Sequence, residues 1–298
     1  MTQIFESTPV DRELITALSR ARRLWGVVDG CADAELAAEL FAARGAGVIS
    51  LFEGTSAVDF RAVAPYLVQL DRSWLAGLES RWEAPWGILF ESGADAAVLA
   101  PHLRSLLDAE MPDGERLYFR FYDPRVFRPF LMASNATELV RLFGPVEAFG
   151  WARRDRSAVL ATPVASVRAV VPQGPTPTSV LVRPAHLQAF QRAAEAQFEA
   201  KLAAHLHSHF PERVAPLGKT LATRIQAMIA TARRNGLATE KEMAQYVTAV
   251  VGAGSSGPAT SPPAWAEPIL TDQGSQPSAK AERLARVAER RIEAGLDA

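Results

Sequence analysis

Apolar and polar positions alternate most clearly in Leu117 to Leu131, LYFRFYDPRVFRPFL. Leu117, Phe119 and Phe121 fall on one side of a period of two, and Tyr118, Arg120 and Tyr122 on the other. That pattern predicts a strand with one apolar face. Asp123-Pro124 ends it, because proline cannot extend a ladder but suits the first turn of a helix, and Asp123 before it is a good N-cap. Val126, Phe127, Phe130 and Leu131 then share a helical face. The stretch reads as a buried strand feeding a short helix, a structural corner in which Asp123 caps and Arg120 covers or pairs with it.

Upstream, helical and strand patterns alternate. A lead-in helix over 11–23 precedes the strand LWGVVDG, and an Ala-rich helix over 33–43 precedes GVISLFEG, which stops at Gly54. PYLVQL at 65–70, a helix over 74–82, PWGILFES at 85–92 and a helix over 94–108 follow. Downstream come a helix from Asn135 to Phe143 and three strand-like pieces near 146–151, 157–161 and 166–171. The fold class predicted is α/β, a mixed sheet with flanking helices, over 1–172. A proline-rich connector, VVPQGPTPTS, then leads to a smaller all-α domain over 173–251. Its first helix carries Leu187, Phe190, Phe198, Leu202 and Leu206 on one stripe; its second carries Leu217, Leu221 and Ile225. Its third opens on the capping box Thr239-x-x-Glu242. Residues 252–278 are rich in Gly, Ser and Pro and predict a flexible linker holding Trp265, and 279–298 an amphipathic terminal helix that docks on the body or on a partner.

Composition narrows the function. The chain has 298 residues, 48% of them hydrophobic, enough for one sizeable core or two smaller ones. With 32 basic and 33 acidic residues, a net charge of -1, it lacks the basic surface that nucleic acid demands; Asp155 interrupts the patch Arg153, Arg154 and Arg156. Cys31 is alone, so neither a disulfide framework nor a thiolate metal cage is available. No signal peptide and no run of about 20 apolar residues is present. A soluble, cytoplasmic protein with no membrane segment is expected.

The chemical candidates mostly dissolve on inspection. Gly218-Lys219-Thr220 resembles the end of a phosphate loop, but Arg213 stands where the first glycine belongs. In His205-x-His207-x-His209, positions 205 and 209 share a helix face and 207 points away. His102 lies on an apolar stripe, the place of a satisfied core histidine. Asp29, Asp71 and Asp123 each follow a strand-like segment, so a divalent ion held by this trio, serving a metal-dependent enzyme, is the alternative worth keeping. A small-ligand regulatory module is the other. Neither a cofactor nor a catalytic residue is assigned.

The order of LWGVVDG, ISLFEG, APYLVQL, WGILFES, LAPHLRSLL, LYFRFYDPRVFRPFL and LFGPVEAFGW resembles the adaptor domain of type VI secretion effector chaperones, the Tap or TEC type. The resemblance covers residues 24–151 and is most specific in RFYDPRV, Arg120 to Val126, placed after the HLR of His102 to Arg104. It implies a non-catalytic bacterial cytoplasmic adaptor that binds one cognate effector and helps load it on the VgrG spike. Arg120, Tyr122, Asp123, Pro124 and Arg125 match the family signature, with the structural role argued above. Phe190, Phe198, Leu217, Leu221, Ile225 and Trp265 are the apolar residues expected to meet the partner.

Overall fold

The computed structural model describes residues 5–43, 47–52, 60, 62–82, 84–153, 157–170, 179–254 and 260–295. Gly54, the run Arg154 to Arg156 and most of the proline-rich connector lie outside them. The chain divides into two compact units, Met1–Gln191 and Arg192–Ala298, rather than at 172/173. The division falls inside one long helix, Pro184–His209, because its first turns are packed with the residues before it.

In the first unit, seven strands of the described residues form one sheet: β1 (Phe5–Val10), β2 (Leu24–Asp29), β3 (Val48–Ser50), β4 (Pro65–Gln69), β5 (Gly87–Glu91), β8 (Ala148–Ala152) and β9 (Ala158–Pro163). Their order is β1-β9-β8-β5-β2-β4-β3, and every adjacent pair is antiparallel. The expected α/β class with flanking helices holds. Mixed pairing is confined to a second sheet, where β6 (Asp108–Glu110) pairs in parallel with β10 (Val180–Leu181) and antiparallel with β7 (Arg116–Tyr118).

The large sheet is covered on both faces, which is unusual for an antiparallel sheet and explains its sequence pattern. All six residues of β2 are buried. Trp25 and Val27 join one core with helices α4 (Ala96–Ser105), α5 (Pro124–Ala133) and α6 (Ala136–Phe143), through Leu99, Leu103, Phe127, Phe130, Leu139 and Leu142. Leu24 and Val28, pointing the other way, join a second core with α1 (Arg12–Arg20), α2 (Ala34–Ala42) and α3 (Arg72–Leu78), through Ile15, Leu36, Leu40 and Leu78. Strands buried on both faces read as continuous apolar runs rather than alternation, as in LWGVVD and GILFE.

Two residues of the His102-Leu103-Arg104 segment act as ties. Arg104 donates to the backbone carbonyls of Ser50 (3.0 Å) and Leu51 (3.3 Å), pinning α4 to the end of β3. His102 sits 3.0 Å from the Leu142 carbonyl, and burial lowers its pKa. Its ring fills the space over Gly144, where φ is +48° and an added Cβ would lie 2.4 Å from the imidazole, so only glycine fits.

Two local predictions fail. The strand expected over 166–171 is absent from its described residues, 166–170; Ala165–Arg168 is a short helix, α7, that buries Val167. The strand at Leu117 is shorter than its alternation suggests, because it ends at Tyr118 on a sheet edge with Leu117 exposed. Phe119, Phe121 and Tyr122 are buried by the turn that follows, not by strand alternation.

The second unit is helical. It holds the remainder of α8 (Pro184–His209), then α9 (Pro211–Val214), α10 (Leu221–Arg234), α11 (Glu240–Gly252), α12 (Glu267–Leu270) and α13 (Pro277–Glu293). Thr239 and Glu242 form the capping box of α11. The flexible linker expected over 252–278 is held in place from 260 onward, where Ala266, Ile269 and Leu270 are buried in the unit's core; residues 255–259 lie outside the described ones. The terminal helix α13 packs on α11 of its own unit, with Ala281, Leu284 and Ala288 buried. Alanines let the two backbones approach closely, which is why so polar a helix docks there.

Candidate functional site

The candidate site forms where β2 ends. Asp29 closes that strand, and the tight turn into Gly30 follows because an added Cβ there would lie 2.6 Å from the Ala64 carbonyl. The Asp29 carboxylate is 3% exposed, a cost that only paired charges offset. Its Oδ1 accepts from the Cys31 backbone N–H at 2.9 Å, and its Oδ2 accepts from the Arg120 guanidinium. The partner of Arg120 is therefore Asp29, ninety-one residues away, and not Asp123. No local signal marks that pairing.

Asp123 is engaged by its own neighbours. Its Oδ1 accepts from the Arg125 N–H at 2.9 Å, capping α5. The Arg125 guanidinium also clasps it, Nε to Oδ1 at 2.9 Å and Nη2 to Oδ2 at 2.7 Å, and these hydrogen bonds raise the arginine's pKa. Pro124 occupies the first turn, where its missing N–H costs nothing. The signature thus supplies one arginine to a distant carboxylate and one to a local one, and proline sets the turn between them.

The tyrosines complete the corner. Tyr122 is buried, and the Arg120 guanidinium lies 5.7 Å from its ring centroid. Its hydroxyl is 3.2 Å from that of Tyr118, whose ring meets Phe52 edge-on at 5.8 Å. Burial raises the pKa of both phenols, and burial together with the Asp29 charge raises that of Cys31. Each of these groups holds its proton at neutral pH. For Arg120, burial works against the charge, but the charge and hydrogen bond of Asp29 together with Tyr122 and Cys31 hold the guanidinium more firmly protonated. Its Nε is buried without an acceptor. The arrangement is a fixed cation beside neutral hydroxyls, suited to orienting a loop or receiving an acceptor group.

Around this corner, large apolar side chains face solvent. Phe60 is 55% exposed, Val63 42% and Tyr118 46%. The Val63 carbonyl lies 3.8 Å from Cys31 Sγ, and Val63 N–H bonds back to the Phe60 carbonyl, which ties this pair to the same strand end.

The three aspartates proposed for a metal do not meet. Asp71 caps α3, accepting from Ser73 and Trp74 N–H at 2.9 Å each. It follows β4 at the end where Gln69 faces Trp25, whereas Asp29 faces Pro65 at the other. About five residues of strand, roughly 17 Å, separate the two ends. Antiparallel pairing puts the ends of successive strands on opposite sides, which the parallel arrangement implicit in the trio would not. Among the described residues no group of three metal-ligating side chains occurs.

The expected partner residues divide. Leu221 and Ile225 are 4% and 1% exposed in the core of the second unit, so their stripe is covered by their own unit and is unavailable to a partner. Phe198, Leu217 and Trp265 are half-buried against that core, and Arg291 lies 5.9 Å from the Trp265 ring. Phe190 is half-buried in the first unit, stacked on Phe130 at 6.3 Å.

Sequence reasoning also missed a polar cluster built on a buried histidine. His186 is fully buried, stacked on Phe130 with centroids 4.0 Å apart. Its Nδ1 accepts from the Arg183 backbone N–H at 2.9 Å, and its Nε2 lies 3.6 Å from Glu138. Glu138 also accepts from the Arg183 guanidinium and, through the α6 capping box, from Asn135 N–H at 2.8 Å. Burial alone would raise its pKa. The His186 ring, Arg183 and the Asn135 N–H overcome that and bring it down to about 2. The capping box was visible as Asn135-x-x-Glu138; the distant arginine and histidine were not.

Comparison with known proteins identifies the region that holds the corner. Residues 24–141 match the family model described as a domain of unknown function (DUF4123). No curated protein and no solved structure matches the chain. The DUF4123 region begins at the first residue of β2 and ends within α6, so it contains Asp29, Arg120 and Asp123 but neither Arg183 nor His186. No helix among the described residues is long and apolar enough to cross a membrane.

Proposed function

We propose that the chain is a non-catalytic adaptor that binds a client polypeptide, of the kind that chaperones type VI secretion effectors in the bacterial cytoplasm and helps load them on the VgrG spike. The observation that carries the reading is the set of exposed apolar side chains, Phe60, Val63 and Tyr118, beside a fixed ion pair inside the DUF4123 region. Grouped exposed apolar residues of this size mark interaction surfaces. An interface of about 1,600 Å² centred on a few such anchors suffices for a specific complex. The order of the signature blocks supplies the family likeness.

The test is co-expression with the effector encoded beside the gene, followed by capture of the tagged chain. A co-purifying effector, more soluble than when expressed alone, is the expected result. Phe60→Ser with Val63→Ser is expected to abolish capture while leaving the melting temperature nearly unchanged, since both side chains are exposed. Failure of the wild-type chain to capture or solubilise the effector would sink the adaptor reading. Capture unaffected by the double substitution would move the interface elsewhere.

A further inference from the structure

A second surface lies on the first unit, away from the signature corner, in the groove between α1 and α3. The two helices line it with residues at helical spacing: Arg12, Ile15, Thr16, Ser19 and Arg20 from one, Arg72, Leu75 and Ala76 from the other, with Glu79 and Trp82 beyond. Its volume is about 440 Å³. Buried Ile15 and Trp82, with half-buried Leu75, make the floor apolar, and Thr16, Ser19 and Ala76 keep the walls low.

The charge around the groove is unbalanced. Arg12, at the start of α1, pairs with Glu79 beyond the end of α3 at 2.6 Å, which closes one end and shows that the helices run in opposite senses. The other end holds Arg20, the last residue of α1, and Arg72, the first of α3. Both are exposed, and neither has a carboxylate partner among the described residues. A cation suits the end of a helix, so Arg20 is well placed by the macrodipole, but Arg72 sits at the positive end of α3. Two unneutralised guanidiniums at one mouth of an apolar trough concentrate positive potential there. The trough runs along both helix axes, so a third helix laid in it packs its side chains between theirs.

We infer that the α1–α3 groove docks an acidic amphipathic helix of a partner polypeptide, its apolar stripe resting on Leu75 and Ala76 above the Ile15 and Trp82 floor and its carboxylates on Arg20 and Arg72. The inference takes from the adaptor reading only that the occupant is a polypeptide.

The test uses the full chain and two fluorescein-labelled peptides of about three helical turns. One is built of Leu, Ala and Glu with leucine on a single stripe; the other has Lys at each Glu position. Anisotropy titrations are expected to show the acidic peptide binding about tenfold more tightly than the basic one. Arg20→Glu with Arg72→Glu should reverse that order, and Arg20→Gln with Arg72→Gln should erase it. The substituted side chains have no partners to lose, so circular dichroism and the unfolding midpoint should match wild type. Equal affinity for both peptides, or an order unchanged in the charge-reversed chain, overturns the inference. Binding of sodium dodecanoate with the same arginine dependence, and of neither peptide, replaces the polypeptide by a small amphiphile. Self-association lost in the charge-reversed chain, with no peptide binding, replaces it by a second copy. The two readings fail separately. Selective peptide binding without effector capture leaves the groove standing and the adaptor reading fallen. Effector capture without selective peptide binding does the opposite.

Discussion

Two carboxylate–guanidinium clusters in the first unit use the same chemistry in different surroundings. Glu138, Arg183 and His186 gather round a ring: the histidine is fully buried and stacked on Phe130, while the carboxylate and guanidinium side chains are 17% and 38% exposed. Asp29 and Arg120 sit at a strand end, their side chains 4% and 39% exposed, with apolar residues open to solvent nearby. The first cluster ties the start of α8 to α5 and α6, because one carboxylate there holds several partners. The second fixes a surface. Carboxylate and arginine together therefore do not announce a function; what surrounds them decides whether they staple or display.

If that contrast is right, the cluster built on His186 should dominate stability. Glu138→Gln keeps an oxygen for the α6 capping box but leaves Arg183 and His186 facing a neutral amide, a loss of about 2 kcal/mol by urea unfolding. Acid titration should report the same group. A carboxyl at about 2 in the folded chain, against 4.5 when unfolded, stabilises fully above pH 4.5 and stops doing so as pH falls through about 2. The wild-type chain should lose on the order of 2 kcal/mol across that window, and Glu138→Gln should flatten it. A variant as stable as wild type would place the cluster among weak surface pairs.

Asp29→Asn should cost less, about 1 kcal/mol, because Asp29 has a single guanidinium partner and an amide oxygen there still accepts from the Cys31 N–H. A loss equal to that of Glu138→Gln would erase the difference between the clusters.

The smallest effect concerns Cys31, the one cysteine of the chain. Burial and the neighbouring Asp29 charge hold its thiol protonated, so iodoacetamide should alkylate it more slowly than free cysteine at pH 8. Asp29→Asn should speed the reaction about two- to threefold, since the burial contribution stays. An unchanged rate would mean that the carboxylate is oriented away from the thiol, toward Arg120 alone.

Much of the molecule follows from local chemistry. Asp123 before Pro124, Asn135 three residues before Glu138 and Thr239 three before Glu242 are helix starts that any fold would use, because orphan N–H groups need an acceptor within one turn. Apolar runs and helical stripes are equally local, and they suffice for the α/β class and for the helical unit after it. Which way strands pair is not local: antiparallel order sent Asp71 and Asp29 to opposite ends of one strand pair and dissolved the metal trio. Nor is the choice between a stripe that is covered and one that is open. Leu221 and Ile225 carry the same pattern as any docking face until α8, α11 and α13 bury them. The sequence by itself determined where elements start, stop and turn an apolar side. Tertiary structure alone decided that Arg120 meets Asp29, that Arg183 and His186 close on Glu138, and which apolar residues stay in water, because each depends on segments brought together across tens of residues.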